Sequence, residues 1–159
     1  MDKRSSIATI LVVLAALSFW FVMTNQFQFT SGDFGIYLTK DSLKVVSDSD
    51  IHYYNASSHE LTLTSECAER LKAMGWQLSG NFTMIVNGEV VLRGVFVPPI
   101  VSRSYPSSQV VMLYPALRSI NYRVMKIQMG YPWDQHSAPD PRENLRIIDY
   151  FERSSKLIQ

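Results

Sequence analysis

The sequence predicts an α+β protein in which an N-terminal transmembrane helix precedes a mainly antiparallel sheet packed by two helices. Three observations carry this reading. Residues 7–23 run for seventeen positions without a charge. Downstream, short stretches of alternating apolar residues are separated by turn signals, the clearest being Asn87-Gly88. Two further stretches switch to helical spacing directly behind capping residues, at Thr64 and at Asp140. The implied organisation is a cytoplasmic flank over 1–6, an anchor over 7–24, a linker over 25–33 and an extracytoplasmic domain over 34–159.

A helix of seventeen residues reaches roughly 26 Å, near the lower limit for crossing a bilayer. Trp20 and Phe21 suit an interfacial aromatic belt. No small-x-small cleavage pattern follows in 22–28, so the segment reads as an uncleaved signal-anchor. Lys3 and Arg4, opposed only by Asp2, favour a cytoplasmic N-terminus. The expectation is a single-pass protein of the cell membrane, with the lipid bilayer as partner through 7–24.

The whole chain carries 15 basic and 14 acidic residues. All three charges of the first thirty residues are Asp2, Lys3 and Arg4, so the remainder is formally neutral. A neutral domain lacks the basic footprint of a nucleic-acid binder, and no nucleic-acid partner is expected. Cys67 is the only cysteine, which excludes an intrachain disulfide and leaves a small hydrophobe for a helix face.

Taken in order, residues 34–38 and 43–46 form strands joined by a turn at 40–42, and 51–54 a short helical turn. The stretch 60–62 is a strand whose alternation places Leu61 and Leu63 on one face. Thr64 then caps a helix over 65–74, with Glu66 in its positive first turn and Gly75 as its stop. Residues 76–78 form a short strand. Residues 82–86 pair with 90–96 across Asn87-Gly88, a dipeptide suited to a type I′ turn. Gly94 within the second arm marks a bulge or a close backbone approach. Strands follow over 110–114 and 122–128, then a long loop over 130–139. Asp140-Pro141-Arg142-Glu143 opens a second helix as cap, first-turn proline and capping box. Its Leu145, Ile148 and Phe151 should face the sheet, while Asp149–Arg153 and Glu152–Lys156 pair on the solvent side.

Few residues point to chemistry. His52, His59 and His136 lack zinc-ligand spacing, and no serine-nucleophile or phosphate-loop motif occurs. Asp134, His136 and Asp140 share the long loop and its edge, and are the one candidate acid–base or metal cluster. Asp41, Asp48 and Asp50 are candidate calcium donors without the calcium-hand spacing. Asn55 and Asn81 begin N-glycosylation triplets, Asn55 in an expected loop and Asn81 beside a strand. Tyr105-Pro106, Tyr114-Pro115, Tyr131-Pro132 and Trp133 place rigid aromatic rings in loops, where they would present a binding face.

One segment has a family likeness. Residues 59–70, with Gly80 and the run 82–91, resemble the extracytoplasmic domain of the SecD subunit of protein translocase. That family has a strand, a helix opening after Ser or Thr, and a hairpin with an Asp-Gly-like turn. Here Asn87-Gly88 stands at the turn, and Cys67 stands where glycine is more typical. The resemblance covers about 61–96 and implies a related domain shape that contacts extended polypeptide or a membrane complex. Translocase subunits carry a bundle of membrane helices, whereas this sequence has one apolar segment.

The functional expectation is therefore a membrane-anchored domain that binds a protein partner through the hairpin 82–96 and the Tyr-Pro loops. It needs no cofactor and has no assigned catalytic residue. Two alternatives stand beside it: a membrane-tethered hydrolase using Asp134, His136 and Asp140, and a domain sensing calcium or a small ligand.

Overall fold

A computed structural model describes residues 33–98, 102–116, 121–135 and 139–159. Along the chain run β1 (Phe34–Leu38), β2 (Leu43–Ser47), β3 (Ile51–Asn55), β4 (Glu60–Leu63), α1 (Ser65–Met74), β5 (Gly80–Val86), β6 (Glu89–Val97), β7 (Tyr105–Leu113), β8 (Val124–Tyr131), α2 (Leu145–Arg153) and β9 (Leu157–Ile158). The strands join in one sheet in the order β2-β1-β5-β6-β7-β8-β4-β3-β9.

The α+β class and both helices stand, but two parts of the expectation are corrected. Among the described residues no helix is long and apolar enough to cross a membrane. The helices have ten and nine residues, about 15 Å each or half the hydrocarbon thickness, and both are amphipathic. The single-pass, membrane-anchored architecture, its topology and the bilayer contact thus have no spanning helix among those residues to rest on. The segment 7–24 from which they were read lies outside the described residues, as do the flank 1–6 and positions 25–32 of the linker. The sheet, moreover, is mixed. β6 runs parallel to β7 and β3 parallel to β9, while the other neighbours are antiparallel.

Local chemistry explains the elements that match. Asn87 and Gly88 adopt φ of 51° and 81°, the left-handed pair that a type I′ turn requires, and they join β5 to β6. Thr64 accepts a hydrogen bond from the Cys67 amide at 3.2 Å, capping α1, and Gly75 ends it at φ 50°. A Cβ on Gly94 would lie 2.3 Å from the Val110 carbonyl oxygen and 2.6 Å from the Phe82 ring. That is the close approach at which glycine is needed.

Other elements differ. Residues 51–54 are strand rather than helical turn, and the turn lies just before them at Asp48–Asp50. Residues 76–78 belong to a 3-10 turn, Gly75–Leu78, that continues from α1. Asp140 caps only a short 3-10 turn, Pro141–Glu143. A second cap, Asn144, then accepts from the Arg146 amide at 3.0 Å and starts α2 afresh. This restart shifts the helical frame: Leu145 is 74% exposed, while Ile147 and Phe151 enter the core and Ile148 is half-buried. The helix stops at Arg153, and Lys156 binds Asp48 rather than Glu152.

The connectivity forces the sheet to curl. β2 is first in the sheet and β3 eighth, so a flat sheet would separate them by roughly 34 Å. The chain nevertheless passes from one to the other through Asp48–Asp50, a link of at most about 14 Å. The two edges must therefore approach one another. No ladder joins β2 to β3 or β9 among the described strands, and polar side chains cross the seam instead. Arg70 of α1 donates to the Val45 carbonyl at 3.2 Å and to Asp50 at 2.9 Å. Lys156 donates to the Asp48 carbonyl and carboxylate at 2.7 and 2.8 Å, and the Tyr150 hydroxyl donates to Asp48 at 2.8 Å.

Inside the curl lies the main core, where Phe34, Ile36, Leu61, Leu63, Met84, Met112, Met125 and Ile127 meet Leu71 of α1 and Phe151 of α2. Phe151 packs on Phe34 and Tyr54 at centroid distances of 5.2 and 4.9 Å. A smaller cluster, Val97, Val111, Leu113 and Tyr131, occupies the opposite face of β6–β8, as strand alternation requires.

Candidate functional site

Asp134 and Asp140, two of the three members of the candidate acid–base or metal cluster, are brought together, but around a cation. Arg142 is completely buried and donates from Nη1 to Asp134 Oδ1 at 2.9 Å and from Nη2 to Asp140 Oδ2 at 2.6 Å. Its Nε donates to Asp140 Oδ1 at 2.9 Å. Asp134 also accepts from the Met129 amide at 2.9 Å and lies 3.4 Å from the Lys126 ammonium. The hydrogen bonds from Arg142 hold the Asp140 carboxyl below the usual carboxylate range. Both carboxylates are thus committed to fastening this segment onto β8, and Asp140, so stabilised, is a weak base. His136, the third member, lies outside the described residues.

The acidic turn is equally committed. Asp48 binds Tyr150 and Lys156, and Asp41 is exposed. Asp50 accepts from the Ser47 amide and hydroxyl at 2.8 and 2.7 Å and from Arg70. Burial would raise the Asp50 carboxyl, but the bonds from Ser47 and Arg70 outweigh it and lower it. No group of three or more His, Cys, Asp or Glu side chains gathers as a metal set among the described residues.

His52 is exposed on β3. His59 is buried in the β3–β4 turn at φ 55°, its Nδ1 3.0 Å from the Tyr54 hydroxyl. Burial, and then the Arg142 charge, push the His59 pKa down. Burial, and then the Asp50 charge, push the Cys67 thiol up to about 11, which leaves it a poor nucleophile at neutral pH. Asn55 ends β3 with Oδ1 accepting from the Ser58 amide at 2.8 Å, whereas Asn81 is exposed within β5.

The expected contact surfaces are mostly interior. In the hairpin, Phe82, Met84, Ile85, Val86, Leu92 and Phe96 are all buried, as are Tyr114 and Tyr131. Tyr105 is half-buried, and Trp133 is exposed at the start of the loop.

One apolar concave feature lies at the end of α1. The 3-10 turn Gly75–Leu78 swings Trp76 outward, leaving it 72% exposed. Beneath it opens a cleft of ≈ 170 Å³, walled by Leu71, Leu78, Phe96, Pro98, Tyr114-Pro115 and Tyr122, with Lys72 at its rim. Tyr114 contributes its ring alone, because its hydroxyl donates to the Ala68 carbonyl at 3.0 Å. Tyr122 meets that ring edge-on at 6.1 Å, and the Lys72 ammonium sits 5.1 Å from the Tyr122 centroid, within cation–π range. Past Trp76, Ser79, Phe96, Val97 and Pro98, which line both, a second groove of ≈ 500 Å³ runs out to Arg103 and Tyr105.

This site draws on α1, the turn after it, the end of β6 and the segments flanking β7 and β8, so no local motif announces it. Trp76 directly behind a glycine helix stop was the only available signal, and its placement in a strand hid it.

No protein-family model matches the chain, and no curated protein or solved structure matches it significantly. The resemblance of 61–96 to the SecD domain rests on the residues quoted for it alone.

Proposed function

We propose that this domain is a polypeptide-binding module that seats one apolar side chain of an extended segment in the cleft under Trp76, and that it binds without catalysing. The observation that carries the reading is an indole left 72% exposed over an apolar, aromatic-walled cleft. Exposing so large a ring has no benefit for folding, whereas Trp and Tyr in such settings dominate binding energy. Beside a groove of ≈ 500 Å³, within the about 300–1,000 Å³ of small-molecule pockets, the cleft alone is ≈ 170 Å³. It is large enough for a single bulky side chain, and the long open groove beside it suits a backbone continuing outward.

The test is fluorescence anisotropy with labelled peptides that carry Phe-Pro or Leu-Pro anchors, against the natural chain and Trp76→Ala. The reading expects saturable binding that weakens by about 30-fold in the variant, the scale of a hot-spot aromatic. Unfolding should change by no more than about 0.5 kcal/mol, as for other surface substitutions. No binding to any peptide, or equal binding by the variant, would overturn it.

A further inference from the structure

Among the described residues, the charged groups lining the two grooves are all of one sign. Lys72 stands at the rim of the cleft, and Arg103 lines the groove beyond Trp76. Among the described residues lining either, no Asp or Glu occurs. Glu69, one turn back on α1, lines neither. The domain beyond the first thirty residues is formally neutral, and the neighbouring groove on Trp76 carries both Lys40 and Asp41, so the two cations stand apart from a general positive excess. Lys72 is also held in place: its ammonium rests against the Tyr122 ring, the wall an incoming side chain would touch.

We infer that the occupant of these grooves is an acidic polypeptide segment, its apolar anchor flanked by carboxylates that meet Lys72 on one side and Arg103 on the other. This rests on the peptide-binding reading and specifies the partner. The apolar cleft supplies affinity for any bulky anchor, while the two cations discriminate among the segments that carry one. A basic flank meets like charge at both ends, and a neutral flank meets no partner. Because both cations are exposed, the preference is screened by salt, whereas anchor burial is not.

Three labelled peptides test this against the full chain: Glu-Glu-Phe-Pro-Leu-Glu-Glu and its counterparts with Gln or Lys in place of every Glu. The acidic peptide is expected to bind about fivefold to tenfold tighter than the Gln peptide, the scale of two exposed ion pairs. The Lys peptide is expected to be weakest, and the spread should close at high salt. The double substitution Lys72→Met with Arg103→Met should erase the preference, the Glu, Gln and Lys peptides then binding with equal affinity. If the Gln and Glu peptides bind equally well, the inference falls and the peptide-binding reading survives. If none of the three binds, both fall together. A charge preference that persists in the double variant places the recognition elsewhere and also overturns the inference.

Discussion

Replacing Arg142 by Met isolates the most concentrated electrostatic feature of the fold. The substitution keeps the apolar stem and removes a guanidinium that is wholly buried between two carboxylates at 2.6 and 2.9 Å. Asp140, whose side chain is only 8% exposed, then loses the Arg142 guanidinium, and Asp134 keeps the Lys126 ammonium at 3.4 Å. Breaking a buried ion pair from one side costs about 3–5 kcal/mol. The residual Lys126 contact places this case near the lower end, about 3 kcal/mol. Against a total of about 5–15 kcal/mol for a domain, that is a fifth or more of the stability. With urea slopes of about 1–3 kcal/mol per M, the unfolding midpoint should fall by roughly 1–3 M.

Urea titration followed by circular dichroism measures this directly. A companion variant, Arg142→Met with Asp134→Asn and Asp140→Asn, removes the two carboxylate charges and should recover most of the loss. A loss below about 1 kcal/mol for the single variant, at the scale of an exposed pair, would refute the burial argument. If the triple variant were no more stable than the single one, the cost would lie in packing rather than in uncompensated charge.

His59 gives a pH signature. Its pKa is lower folded than unfolded, so above the unfolded value of about 6.5 both states are neutral and stability is complete. As pH falls below that value the unfolded chain takes up the proton first, and stability declines until the native imidazole titrates. His59→Asn tolerates the positive φ and should flatten this limb in urea midpoints measured between neutral and mildly acid pH; an unchanged slope would assign it to another group. Asp50 and Asp140 act lower, their stabilisation lost as pH falls below the carboxylate range. Gly94→Ala forces a Cβ against the Val110 carbonyl and should cost about 1–3 kcal/mol by the same titration; a neutral effect would mean that β6 and β7 separate freely. Trp76→Ala should do the reverse, leaving the unfolding midpoint in place while peptide affinity collapses.

Where backbone preference and capping act over a few residues, the sequence determined the outcome by itself. Asn87-Gly88 tolerates the left-handed conformations of a type I′ turn, so the β5–β6 hairpin follows without reference to anything distant. Thr64 and Gly75 bound α1 for the same reason, and Gly94 marked a bulge or a close backbone approach, of which the packing against Val110 is the second. Asp140 shows the limit of such signals. It caps as its chemistry dictates, yet Asn144 four residues later offers a second cap, and which cap opens the longer helix depended on where Ile147 and Phe151 could reach the core.

Tertiary structure alone decided the rest, because the deciding interactions join residues far apart in sequence. Alternation marks a strand without naming its neighbour, so the parallel β6–β7 joint and the curl that brings β2 to β3 had no local sign. Arg142, expected only as part of a helix start, is buried between Asp134 and Asp140, so that two members of the candidate acid–base or metal cluster serve as a fastening. The cleft under Trp76 assembles residues from Leu71 to Tyr122, and its aromatic walls exist only because α1, β6 and the segments around β7 and β8 converge at one end of the sheet.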